Sequence, residues 1–276
     1  MDLKRIEPGK YKVYPPVGKC IYCGNENVTL TKEHVIPFGL GGNIILPKAS
    51  CLECNDVTKK FEHTCLRNIY GPLRLSLGVR TRNPEQRPDT IPLTVRLADW
   101  TTKEISVPIS DYPPHLLMVA FDQPGIIKRL PPSEHFYFQA TVRGKMDEFD
   151  AFNEKYGCIG IAGPTNYDVL SFMRMIAKIG YSFSVGELGV DNFEHIVLPV
   201  IMGEDLRASH LVGGDLVIPP PYEVPYGESV NRISWKVIKS TKLVIVDIRL
   251  LASLGTPQYR VVVGRWKGDP NQIVVR

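Results

Sequence analysis

A chain of 276 residues, 43% hydrophobic and 22% charged, is long enough to bury a substantial core, and those proportions exclude wholesale disorder. No apolar run approaches the ~18 residues that a bilayer span needs, and the first residues, MDLKRIEPGK, lack the apolar stretch of a secretory signal; a cytoplasmic protein without a membrane partner is expected. The net charge of +4 is unevenly placed: residues 1–90 carry 14 Lys/Arg against 9 Asp/Glu, the other 186 carry 19 against 20, and the early basic excess is a mild pointer to a phosphate-bearing partner.

Taken in chain order, residues 1–18 are polar, basic and broken by Pro and Gly, which predicts an irregular basic arm. Residues 19–70 hold four of the six cysteines and form a candidate metal unit. Residues 71–90 contain five residues that break regular structure (Gly71, Pro72, Gly78, Pro84 and Pro88) together with Arg74, Arg80, Arg82 and Arg87, and predict a partly extended linker. From 91 onward the pattern is α+β. IPLTVRLADW and TTKEISVPIS alternate as a hairpin, HLLMVAF and HFYFQATV read as buried strands, and ISWKVIKS, TKLVIVDIRLL and QYRVVVGRW read as three antiparallel strands. Residues 165–183 predict a buried helix, apolar almost all round, with Thr165 and Asp168 spaced as a capping box. Residues 91–276 carry no recognisable catalytic motif and are expected to be an accessory domain for substrate, partner or oligomer contacts.

Two CxxC pairs, Cys20/Cys23 and Cys51/Cys54, point to one zinc ion held by four thiolates rather than to disulfides. Each CxxC lets two thiolates of one tight turn reach the same ion, and Gly24 suits the sharp turn after the first. A site closed by four thiolates has no open position for chemistry, so this zinc is structural. Cys65 and Cys158 have no spaced partner and read as small buried hydrophobes. Simple ribbons separate their pairs by ~15–20 residues, whereas 27 intervene here, so something is built between the knuckles.

The insert, VTLTKEHVIPFGLGGNIILP, allows a strand region at Val28–Leu30 and Val35–Ile36, a glycine loop, and a returning strand at Asn43–Leu46. After Cys54 a helix is expected, with Val57, Phe61, Cys65 and Ile69 on its apolar face. The order is strand, loop, strand, helix, wrapped on zinc.

In that order, with Cys20, Cys23, Glu33, His34, Pro37, Gly41, Gly42, Cys51, Cys54 and Asn55, the stretch from about 19 to 65 resembles the HNH endonuclease superfamily of ββα-metal nucleases. The resemblance implies a DNA endonuclease that hydrolyses phosphodiester bonds. His34 would be the general base, Glu33 and Asn55 would supply oxygen ligands to Mg²⁺ or Mn²⁺, and Asn43 would tie the loop to the backbone near His34. Asn55 also suits a helix N-cap, and Asn43 the end of a Gly-Gly-Asn turn. His63, eight residues beyond Asn55, lies about two helical turns away and out of reach of the same ion. Lys48, Lys59, Lys60 and Arg67 are candidates for phosphate contact or for plain solvated charge. One such unit cuts one strand, so double-strand cleavage would need a homodimer. The alternatives are a zinc-knuckle nucleic-acid-binding module without turnover, in which Glu33 and His34 stand idle, and a protein–protein adaptor whose zinc unit is scaffold only.

Overall fold

The computed structural model describes residues 10–76, 78, 85, 88–162, 167–223 and 229–270. Its first element, β1 (Lys12–Val13), belongs to the expected arm, which is not irregular there. It runs parallel to a later strand, pairing Lys12 with Ile44 and Val13 with Ile45. The backbone bonds continue from Tyr14 to Ile45 and from Val17 to Pro47, so the lead-in is an added edge of the metal unit.

β2 (Leu30–His34) and β3 (Ile44–Cys51) form the antiparallel pair of that unit, with β3 central in the order β1-β3-β2. Both differ from the sequence expectation: β2 covers TKEH, which breaks apolar periodicity, and β3 runs to the second knuckle. The turn between them is forced by Gly42, where a Cβ would lie 1.9 Å from the Ile36 carbonyl oxygen, so only glycine fits.

α1 (Leu52–Thr64) starts inside the second knuckle. Its N-cap is Cys51, whose Sγ accepts from the Cys54 amide at 3.5 Å, so Asn55 is not the cap. Its buried side chains are Cys54, Thr58 and Phe61, while the expected Val57 is half-buried; the helix then widens into a π-turn over Cys65–Ile69 that buries Cys65 and Ile69. Phe61 packs under Arg174, whose guanidinium sits 4.8 Å from the ring centroid. Emptying that position by Phe61→Ala would cost about 3–5 kcal/mol. α2 (Gly71–Ser76) occupies the start of the expected linker, while Arg80, Arg82, Pro84 and Arg87 lie outside the described residues.

β4 (Thr90–Arg96) and β5 (Thr102–Pro108) form the expected hairpin. β6 (Leu116–Phe121) pairs with β7 (Phe138–Arg143); β6 is buried as expected, but β7 is mostly exposed. α3 (Met146–Tyr156) and the short β8 (Gly160–Ile161) complete a satellite in which Ile91, Leu93, Val95, Val107, Phe152 and Cys158 make a small core of their own.

α4 (Val169–Leu188) is the central helix. Asp168 caps it by accepting from the Ser171 amide at 2.8 Å; Thr165 lies outside the described residues. Thirteen consecutive or near-consecutive residues from Phe172 to Val185 are buried, so the helix is enclosed on all sides. It is followed by β9 (Phe193–Glu194), α5 (Leu198–Met202) and β10 (Val212–Gly214), then by the three expected antiparallel strands, β11 (Arg232–Val237), β12 (Leu243–Arg249) and β13 (Tyr259–Trp266). The sheet order is β10-β13-β12-β11, with β9 paired to the other end of β13. The fold is therefore α+β, with mostly antiparallel sheets.

One apolar core runs from Cys20 through α1 and α4 to Val263, so the metal unit and the sheet are packed together around α4. Among the described residues, no helix is long and apolar enough to cross a membrane.

Candidate active site

The two knuckles converge: the Sγ atoms of Cys20, Cys23, Cys51 and Cys54 all lie within 4.8 Å of one another, and those of Cys23 and Cys51 are 3.8 Å apart. Four thiolates at about 2.3 Å from a tetrahedral zinc are spaced in this range, so the donor set fits zinc and leaves no position for water. Gly24, at φ +77°, closes the first knuckle by donating to the Cys20 carbonyl at 2.8 Å.

The staple presents a cleft of about 480 Å³ between β2 and α1. β2 carries a register shift between Thr31 and Glu33, and such bulges re-aim side chains. His34 ends the strand, half-buried on the cleft wall, with the Phe38 ring edge-on at 6.1 Å between centroids. Asn55, on α1, lines the same cleft. Its Nδ2 donates to the Thr31 hydroxyl at 3.1 Å, so Oδ1 is the ligand atom the amide has left to offer.

Glu33 also borders the cleft but is 5% exposed, and its carboxylate pairs with the ammonium of Lys178 on α4. Lys178, itself 1% exposed, pairs with Glu62 at 2.8 Å and donates to the carbonyls of His34 and of Val35, the latter at 3.4 Å. Burial pushes the Glu33 carboxyl above its ordinary range, the Glu62 charge adds to this, and Lys178 opposes it. Burial alone would pull the Lys178 ammonium down, but the two carboxylates outweigh it and hold it above the usual lysine range.

Of the sequence candidates, the cleft brings together His34, Glu33, Asn55, Lys59 and Arg67, and also His63, which sequence spacing had set aside. Lys48 and Lys60 are exposed elsewhere and are not among its lining residues. Asn43 is 7% exposed and its Nδ2 donates to the Lys10 carbonyl at 2.7 Å, so the bond it makes anchors the arm rather than the backbone at His34. Main-chain pairing of Val35 with Ile44, at 3.0 Å, joins β2 to β3 beside His34.

Three contributors were missed in the sequence. Arg74, placed in the linker, reaches back to the glycine loop, donating from Nε to the Gly39 carbonyl at 2.6 Å and from Nη1 to the Leu66 carbonyl at 3.2 Å. Asn231, just before β11, braces the same loop by donating to the Leu40 carbonyl at 2.8 Å. Lys178 leaves a signal in the sequence: a lysine in the middle of a mostly apolar, enclosed helix is almost never buried unless paired.

A strand pair and helix joined at four clustered cysteines, with a histidine of the strand and an asparagine of the helix lining one cleft, define a zinc-stapled ββα unit. Residues 20–68 match the family model described as HNH endonuclease, in agreement with the resemblance carried by the motif. Comparison with curated proteins and with solved structures gives no match.

Proposed function

We propose that the protein is an endonuclease that hydrolyses phosphodiester bonds of DNA in the cleft between β2 and α1. The observation that supports this best is that His34 and Asn55, from different elements, border one cleft whose walls also carry Lys32, Lys59, Arg67 and Arg74. Those cations attract and seat a phosphate backbone without reading sequence.

In this reading His34 takes the proton of the attacking water, a role to which an imidazole is suited at neutral pH. The Thr31 hydroxyl fixes the Asn55 amide, and Asn55 Oδ1 with the cleft-side edge of Glu33 would hold Mg²⁺ or Mn²⁺, since both are hard oxygen donors. Such a cation supplies charge neutralisation at the phosphate and the leaving oxygen. Lys59 and Arg67 position the strand on the cleft wall. One unit nicks one strand, and double-strand cleavage would take two copies of the chain. The sheet domain, packed on the unit through α4, would select substrate or partner.

The test is incubation of supercoiled plasmid with the zinc-loaded protein in Mg²⁺, in Mn²⁺ and with neither cation added. Nicked circles in the presence of cation alone are the expected result. Plasmid binding without cleavage in every cation would favour the non-catalytic binding module.

A further inference from the structure

α4 lies far outside the matched segment, and most of its buried residues are apolar. Lys178 breaks that pattern at a place where packing does not require a charge: Met173 and Met175 fill neighbouring positions of the same buried helix, and a methionine would occupy similar volume. Its ammonium instead gathers four oxygens, from Glu33, Glu62, the His34 carbonyl and the Val35 carbonyl. Glu33, His34 and Glu62 line the candidate active site, and Val35 is the buried residue that follows His34. Glu62 stands on the helix that carries Asn55, and the two carbonyls are those of the candidate base and the residue after it. The ammonium thus joins strand to helix at the back of the cleft.

We infer that Lys178 is a positioning residue of the nuclease centre, holding Glu33 oriented toward the cation and fixing the main chain under His34. The inference deepens the proposed function and rests on its assignment of Glu33 as a ligand. A carboxylate has about four acceptor positions, so one oxygen bonded to Lys178, with the Tyr22 hydroxyl also in reach, leaves capacity on the cleft side. Partners that orient a ligating carboxylate change metal affinity or activity by about 10–100-fold. Without the ammonium, the buried Glu33 carboxylate and the half-buried Glu62 carboxylate lose the cation that pairs with both. On this account the strength of the cation site depends on a residue that the matched segment does not contain.

The test is a double-mutant cycle on Mn²⁺ binding by the full, zinc-loaded chain without nucleic acid, read by calorimetry or by the electron paramagnetic resonance of free Mn²⁺. Lys178→Met and Glu33→Gln should each weaken binding about tenfold or more at unchanged zinc content. The double variant should be no weaker than the weaker single, because the lysine acts through the carboxylate. Glu33→Gln keeps the Lys178–Glu62 pair, and the double variant strands no buried ammonium. Those two therefore keep the inference open to refutation even if Lys178→Met alone fails to fold. A further tenfold loss on adding Lys178→Met to Glu33→Gln would overturn the inference, as would wild-type affinity in Glu33→Gln. The plasmid assay adds a second readout: Lys178→Met should lower kcat with the KM for plasmid unchanged. A wild type that binds no Mn²⁺ and nicks in no cation overturns the nuclease reading itself. A wild type that binds and nicks, beside a Lys178→Met that does both equally well, overturns this inference alone.

Discussion

Asn55 on α1 and Thr31 on β2 meet across the strand–helix junction, the amide nitrogen donating to the hydroxyl at 3.1 Å, while the same hydroxyl donates to the Ser50 carbonyl at 3.1 Å. One hydroxyl therefore links the helix that follows the second knuckle to both strands, and it sets which end of the Asn55 amide can face a cation.

Thr31→Val keeps the shape of that side chain and removes the link. Stability should fall by about 1 kcal/mol, the usual net value of a hydrogen bond, visible as a small drop in Tm. Nicking should fall more than this, by roughly tenfold, because Asn55 loses its orientation. Equal nicking by Thr31→Val and wild type would show that the hydroxyl does not serve the site.

The cysteines divide into two classes. Cys51 is both a candidate zinc ligand and the cap of α1, whereas Cys65 is buried outside the four-thiolate cluster. Cys51→Ser should lose about one equivalent of zinc per chain and unfold the segment around 19–70, since binding energy at such sites is folding energy. Cys65→Ala should keep its zinc and lose only packing. Metal analysis beside thermal melting checks both, and zinc loss in Cys65→Ala would break the division.

Much of this unit was legible because its chemistry is local. The order of CxxC, Glu-His, Gly-Gly and CxxC-Asn lies within about 36 residues, and thiolate spacing states a ligand set directly. The strand limits were not legible: TKEH has no apolar alternation, and β2 forms because pairing with β3 overrides local preference. The arm was misjudged for the same reason, since its order comes from β3 and from Glu187. Lys178 and Asn231 act across 144 and 191 residues of sequence, a separation no local pattern encodes. His63 was set aside by counting turns from Asn55 to a single ion, but a cleft is longer than an ion, and its wall runs the length of α1.

Gly42 admits no side chain, because a Cβ there would collide with the Ile36 carbonyl oxygen. Gly42→Ala should cost at least about 1–3 kcal/mol, as overpacking does. It should also disturb the turn after His34, so both Tm and nicking are expected to fall. A wild-type Tm in this variant would show that the loop can move aside.

The arm predicts a pH dependence. Glu187 on α4 is bonded by Lys12 and Tyr14 of the arm and by the Trp235 indole at 3.3 Å. Burial pushes its carboxyl up, but these donors and the Lys12 charge outweigh it and hold the group below the ordinary range. The unfolded chain then binds more protons than the folded one as pH falls. The stabilisation is full above the unfolded value of about 4.3 and is lost as pH drops through the lower folded value. Denaturant melts of wild type and Glu187→Gln should differ most near neutral pH and converge toward about pH 3. A difference that grows on acidification would reverse the sign and refute the assignment.

The central claim is that the zinc holds a separate catalytic centre built on His34. Wild type and His34→Ala, matched for zinc content, would be compared for nicking of supercoiled plasmid in Mg²⁺ and in Mn²⁺. The account predicts cation-dependent nicking by wild type that His34→Ala loses while keeping its zinc. Equal nicking by the two proteins would contradict it.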